Sequence, residues 1–203
     1  GVMSLYRQSV YDDGSLFYAA NIIDGLHGIA WRADRPDGAI ARIVLEYVHT
    51  VSQGGDIFDL DGGPRGRDDY FNHGQYYGWA YGGSTLGTAF ISPRTVSREA
   101  LPGSSTLNVT NNNRVRVLHA GVAGCLGKLS YVGKLSYSVN LGTYNRPFPE
   151  HVNQFSSLIE VRYPTRMARL GTVQLTGRLA TDFGGLYPNT VGGQAGGIQP
   201  GFF

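Results

Sequence analysis

Cysteine is almost missing from this chain: Cys125 is the single one in 203 residues. It cannot close an intrachain disulfide, and no His or Cys stands near it at ligand spacing, so it reads as a small apolar wall residue without a chemical role. An excess of one charge is missing too. Seventeen Lys and Arg stand against fifteen Asp and Glu, and a net +2 so evenly spread lacks the basic footprint that nucleic acid requires. No run approaches the roughly 20 apolar residues of a membrane-spanning helix. The Gly1-Val2-Met3 start carries no basic stretch followed by an apolar one, so no export signal is legible. Such a chain is soluble, or it crosses a membrane as strands.

Glycine (30) and tyrosine (13) are abundant, which favours aromatic-rich strands and turns over packed helices. The expected class is all-β, in a single domain over residues 1–203. Residues 128–141 give the clearest signal. Leu129, Tyr131, Gly133, Leu135, Tyr137, Val139 and Leu141 alternate there with Lys128, Ser130, Val132, Lys134, Ser136, Ser138 and Asn140, so one face is apolar and the other almost wholly polar. A strand of about 14 residues exceeds the usual five or six and suffices to cross a bilayer at a tilt, which takes roughly 9 to 11. Residues 39–52 repeat the pattern, with Ile43, Leu45, Tyr47, His49 and Val51 on one face and Arg42, Glu46, Thr50 and Ser52 on the other. Further strands are expected at 5–11, 16–23, 26–33, 114–126, 155–163, 172–182 and 190–199, about nine in all. Turn residues at Asp12-Asp13-Gly14, Asp24-Gly25 and Arg35-Pro36-Asp37-Gly38 predict hairpins and an up-and-down antiparallel meander. In a transmembrane barrel Arg42, Glu46, Lys134 and Arg178 would face the lumen, and the aliphatic set would face lipid. In a soluble sandwich the apolar face would meet a core instead. Periodicity alone leaves both open.

Two segments, about 53–70 and 84–113, are too rich in Gly, Asp, Pro, Ser and Asn to be strands throughout and read as long loops. The aspartates Asp56, Asp59, Asp61, Asp68 and Asp69 could hold calcium, but Arg65 and Arg67 offset them and the spacing is not that of an EF-hand, so no metal or other cofactor is assigned. No nucleophile elbow, zinc helix or phosphate loop occurs in its required context. Glu46 with a loop aspartate offers at most a carboxylate pair of unknown separation, and no catalytic residue is expected. The stretch 69–90, D-Y-F-N-H-G-Q-Y-Y-G-W-A-Y-G-G-S-T-L-G-T-A-F, sets aromatics among amides. Tyr70, Asn72, Tyr76, Tyr77, Trp79 and Tyr81 form a candidate sugar-stacking set; the same residues would also serve as an aromatic girdle at the lipid headgroups.

Three segments resemble the Wzi-like capsule-assembly family of outer-membrane β-barrels, in its Bacteroidetes form. They are E-Y-V-H-T-V-S-Q-G-G (46–55), the aromatic stretch 69–90 with Ala89 where the family has Pro, and N-N-R-V (112–115) joined to Y-S-V-N-L-G-T-Y (137–144) and D-F-G-G-L-Y-P-N (182–189). The resemblance implies a non-catalytic protein of the Gram-negative outer membrane that binds capsular polysaccharide, contacts membrane lipid and admits other outer-membrane proteins as partners. Family members are about twice as long with about 18 strands, so the resemblance further implies the C-terminal half of a larger barrel. The terminal Phe203 agrees with that, whereas Pro200 departs from a regular last strand. A porin-like channel, or a structural subunit of a larger outer-membrane complex, is the alternative.

Overall fold

Strand-forming alternation over most of the chain produces one long antiparallel sheet. The computed structural model describes residues 1–10, 17–58, 66–72, 79–103, 108–167, 171–196 and 199–200. Its strands are β1 (Val2–Gln8), β2 (Gly25–Arg32), β3 (Arg42–His49), β4 (Ala80–Tyr81), β5 (Ser84–Thr85), β6 (Val115–Leu126), β7 (Leu129–Gly142), β8 (Pro147–Met167), β9 (Gly171–Gly184), β10 (Thr190–Ala195) and β11 (Gln199–Pro200). The main sheet runs β1-β2-β3-β6-β7-β8-β9-β10 with every neighbour antiparallel, and β11 also pairs with β9. β4 and β5 form a separate small hairpin inside the β3–β6 connection. Among the described residues there is no α-helix, only a 3-10 turn at Arg94–Val96. Among the described residues the sheet does not close on itself: β1 pairs only with β2, and β10 only with β9.

The expected meander is present, with corrections. Residues 17–23, expected as part of a strand, form a turn; Gly25, at φ 144°, opens β2 instead of closing a hairpin, because Asp24 before it is drawn into a buried network. The strand expected to reach Ser52 ends at His49, where the chain folds back over the sheet. Ser84–Thr85, placed in a loop by sequence, belongs to the small hairpin. The expected 190–199 strand is split between β10 and β11, and Pro200 pairs with Val173 at the end of β11.

Register shows which side chains share a face. One transverse row reads Leu5, Ile29, Leu45, Ala120, Leu135, Ser157, Thr181, and the next reads Tyr6, Gly28, Glu46, His119, Ser136, Ser156, Asp182. The faces are therefore chemically opposite, as period-2 alternation demands. Burial is inverted relative to a soluble sheet. The apolar face is open, with Leu45 53%, Leu118 63%, Leu135 53% and Ile159 54% exposed, while the polar face is covered at one end. There the 50–114 connection packs on Leu26, Val48, Val115 and Val117 and adds Tyr70, Phe71, Ile91 and Val109 to form the hydrophobic core.

The two ends differ as well. At one, β6 and β7 are joined across Gly127, whose φ of 63° suits a tight turn. At the other lie the connections 9–24 and 50–114. Ile91, fully buried in the core, tests whether the cover holds the sheet: Ile91→Ala should lower unfolding free energy by about 2–5 kcal/mol, read from urea denaturation of the refolded protein. A loss below about 0.5 kcal/mol would mean the cover is only loosely seated.

Candidate functional site beneath the loop cover

The cover is fastened by buried polar groups, each needing partners because burial removes their water. Asp24 is fully buried. Its Oδ1 accepts from Ser52 N at 3.0 Å and faces His49 Nδ1 at 2.9 Å. Its Oδ2 accepts from Gln53 N at 2.6 Å and from the Tyr70 hydroxyl at 3.0 Å. Asn113 donates to Asp69 and to Tyr70 O, while its own carbonyl accepts from the Thr50 hydroxyl at 2.7 Å. Asn72 and Thr110 exchange two bonds of 3.1 Å. Asn112 donates to Asn140 Oδ1 at 2.9 Å and accepts from Gly142 N, which ties the cover to β7. The network also holds Gln53 and Phe71 at φ 47° and 69°, a region side chains otherwise avoid. Beside it the Arg114 guanidinium lies 3.8 Å from the Tyr144 ring centre.

The structure divides the aromatic set predicted for sugar contact. Tyr70 and Asn72 are buried and bonded inside the cover, Tyr70 also accepting from Asn21 Nδ2 at 3.0 Å. Trp79 and Tyr81 are exposed on the hairpin side, with Trp79 edge-on to Phe71 at 6.4 Å. Tyr76 and Tyr77 lie outside the described residues. The aspartate loop is likewise described only in part, and among the described residues no group of three or more ligating side chains gathers for a metal.

Arg42, Glu46, Lys134 and Arg178 share the polar face by register. They are not paired with one another. Arg178 and Arg162 both engage Glu160, Glu46 Oε1 accepts from the Tyr6 hydroxyl at 2.5 Å, and Arg42 and Lys134 have no ion-pair partner among the described residues. The Tyr6 ring lies over Gly28, where any Cβ would meet the ring at 2.2 Å. His119 follows Glu46 in the same row, but its Nδ1 meets Ser136 Oγ at 2.8 Å and its ring packs on Phe90 at 5.6 Å.

Between cover and polar face lies a cavity of about 460 Å³ bounded by Leu26, Val48, Tyr70, Phe71, Trp79 and Phe90, with Glu46 at its floor. A larger hollow of about 960 Å³ opens on the apolar face among Leu5, Ile29, Leu45, Leu118 and Leu135; it follows the exposed aliphatic surface, and of the polar side chains at its edge, Arg7 and His27, Arg7 is spent on the carbonyls of Ile22 and Asp24. The cavity under the cover is the better candidate site. Sequence reasoning missed Asp24 and Asn113 as its fasteners. The only available signals were Asp24 before a strand and the three asparagines of 111–113.

Comparison with protein-family models, with curated proteins and with solved structures finds no match to this chain. The resemblance to capsule-assembly barrels therefore rests on its three segments alone.

Two predictions follow from the network. Asp24→Ala strands four donors in the interior and should cost about 3 kcal/mol, with protease cleavage appearing first within 50–72. Burial, reinforced by the Asp24 charge, pushes the Tyr70 phenol far above its usual 10.0, and burial raises Tyr187 as well. The folded protein keeps protons that the unfolded chain releases from about pH 10. Stability should be level below that pH and fall as pH rises through it; in Tyr70→Phe the fall should be shallower, as measured by denaturation midpoints between about pH 8 and 11.

Proposed function

We propose that this chain forms part of the wall of an outer-membrane β-barrel of Gram-negative bacteria, and that its loop cover binds a polysaccharide at the cell surface without catalysing a reaction. The observation that carries the reading is the inverted sheet: its aliphatic face is open, while its polar face carries the loop cover at one end. An aqueous protein gains most of its stability by burying aliphatic surface. A sheet with the opposite arrangement suits hydrocarbon outside and polar contents inside. Strand length supports it, since β7 and β9 have 14 residues each where a tilted span takes about 9–11. Asymmetry of the connections supports it too, with a tight turn at one end and the long 50–114 cover at the other. Hydrocarbon does not tolerate an open sheet edge, so the reading requires further strands beside β1 and β10, in keeping with a larger barrel of about 18 strands.

Exposed Trp79 and Tyr81, beside a cavity with aromatic walls, support glycan contact through stacking on sugar C–H faces. Many weak contacts repeated along a polymer would hold a capsule where one sugar would not. Capsular polysaccharide, membrane lipid and other outer-membrane proteins are the partners this reading names.

The two tryptophans test it. Trp31 pairs with Met3 and Ile43 on the apolar face, whereas Trp79 sits in the cover. In bilayers with brominated acyl chains, fluorescence of a Trp79→Phe variant, which reports Trp31, should be quenched, and that of Trp31→Phe should not. Equal quenching of both, or monodisperse behaviour without detergent, would remove the membrane wall from the proposal. Trp79→Ala with Tyr81→Ala should weaken capsule binding about tenfold or more; a double variant that binds as well as the parent would detach the glycan site from these residues.

A further inference from the structure

We infer that the cavity under the loop cover is a subsite for a protonated amine, carried by an amino sugar of the bound glycan, with its ammonium group on Glu46; the sugar as carrier rests on the glycan-binding reading above. Among the described side chains lining the cavity Glu46 is the single carboxylate, and none of them is basic. Tyr70, the other ionisable group there, is held neutral by burial and by the nearby Asp24. Glu46 Oε1 is occupied by the Tyr6 hydroxyl, while Oε2 has no hydrogen-bond partner among the described residues. The cations of the same face do not serve it. Arg178 and Arg162 are committed to Glu160, Arg42 stands four residues further along β3, about 13 Å away at strand spacing, and Lys134 lies two strands over and one row pair along, about 12 Å away between backbones. His119 faces Glu46 from the adjacent strand but is bonded to Ser136 and packed on Phe90.

A half-buried carboxylate under Phe71, Trp79 and Phe90 is costly without a cation, and an ammonium group would satisfy it twice. It donates charge-assisted hydrogen bonds to the free oxygen, and it lies against aromatic faces that attract cations. A divalent metal fits poorly, because calcium needs six or more oxygens and this cavity offers one carboxylate. A neutral sugar would leave the carboxylate without its cation. The volume falls within the roughly 300–1,000 Å³ of small-ligand sites, which suits a sugar unit and not a folded polymer. Tyr6 acts as a positioning residue: its ring rests on Gly28 and its hydroxyl orients Glu46.

The test titrates the full-length protein in detergent with chitosan oligosaccharides, with their fully N-acetylated counterparts and with choline, followed by tryptophan fluorescence. The free-amine oligosaccharide should bind about tenfold or more tighter than the acetylated one. Glu46→Gln, whose amide oxygen still accepts from Tyr6, should erase that preference without shifting the thermal midpoint. Equal affinity of the two oligosaccharides for the unaltered protein would overturn the proposal, whether or not the variant folds. A preference that persists in Glu46→Gln would also overturn it and leave Glu46 as a clip for Tyr6. Trp79-dependent binding with no amine preference would overturn the amine subsite while the glycan reading stands. Glu46-dependent binding of choline with no oligosaccharide binding would support the subsite, overturn the sugar as its carrier and count against the glycan reading.

Discussion

Each strand of the main sheet separates a polar face from an apolar one, and the long 50–114 connection packs on the polar face. Everything else about the molecule follows from that choice. Once Leu26, Val48, Val115 and Val117 are used to seat the cover, the aliphatic rows through Leu45 and Leu135 have nothing of the described chain over them. In water such a surface is unfavourable at about 25 cal/mol per Å²; against hydrocarbon it carries no penalty. The inversion lies in the pattern of burial and not in composition.

Seating loops on a polar face has its own requirement. Carbonyls, amides and carboxylates brought under the cover must find partners there, since an unpaired buried polar group costs a few kcal/mol. Asp24 solves this for three chain segments at once, through the amides of Ser52 and Gln53 and the hydroxyl of Tyr70. Asn113 and Asn112 solve it for the junction with β6 and β7. The segments 46–55, 69–72, 112–115 and 137–144, far apart in sequence, meet in this network. Their buried polar bonds have one physical focus, the fastening of the cover.

The same packing shapes the cavity. Because the cover is anchored near His49 and Thr50, it roofs the row below, where Glu46 sits, and leaves a space with aromatic walls and one negative charge. Tyr70 and Asn72 belong to the anchor, while Trp79 and Tyr81 belong to the exposed rim. A set that looks homogeneous in sequence therefore has two jobs, and the boundary between them is burial.

Strand identity, antiparallel order and the division into faces were written in the local sequence, because a period of two leaves little choice: β6, β7 and β9 fall close to their expected bounds, and Arg42, Glu46, Lys134 and Arg178 share a face as alternation requires. The sequence could not show that residues 17–23 turn instead of pairing, since Asp24 takes its role only when Ser52, Gln53 and Tyr70 arrive from distant positions. Nor could it pair Arg178 with Glu160 or set Tyr6 against Glu46, both products of cross-strand register. Which face would be covered was likewise beyond local pattern, because alternation is symmetric between inside and outside. Only the tertiary structure broke that symmetry, by placing the cover on the polar side.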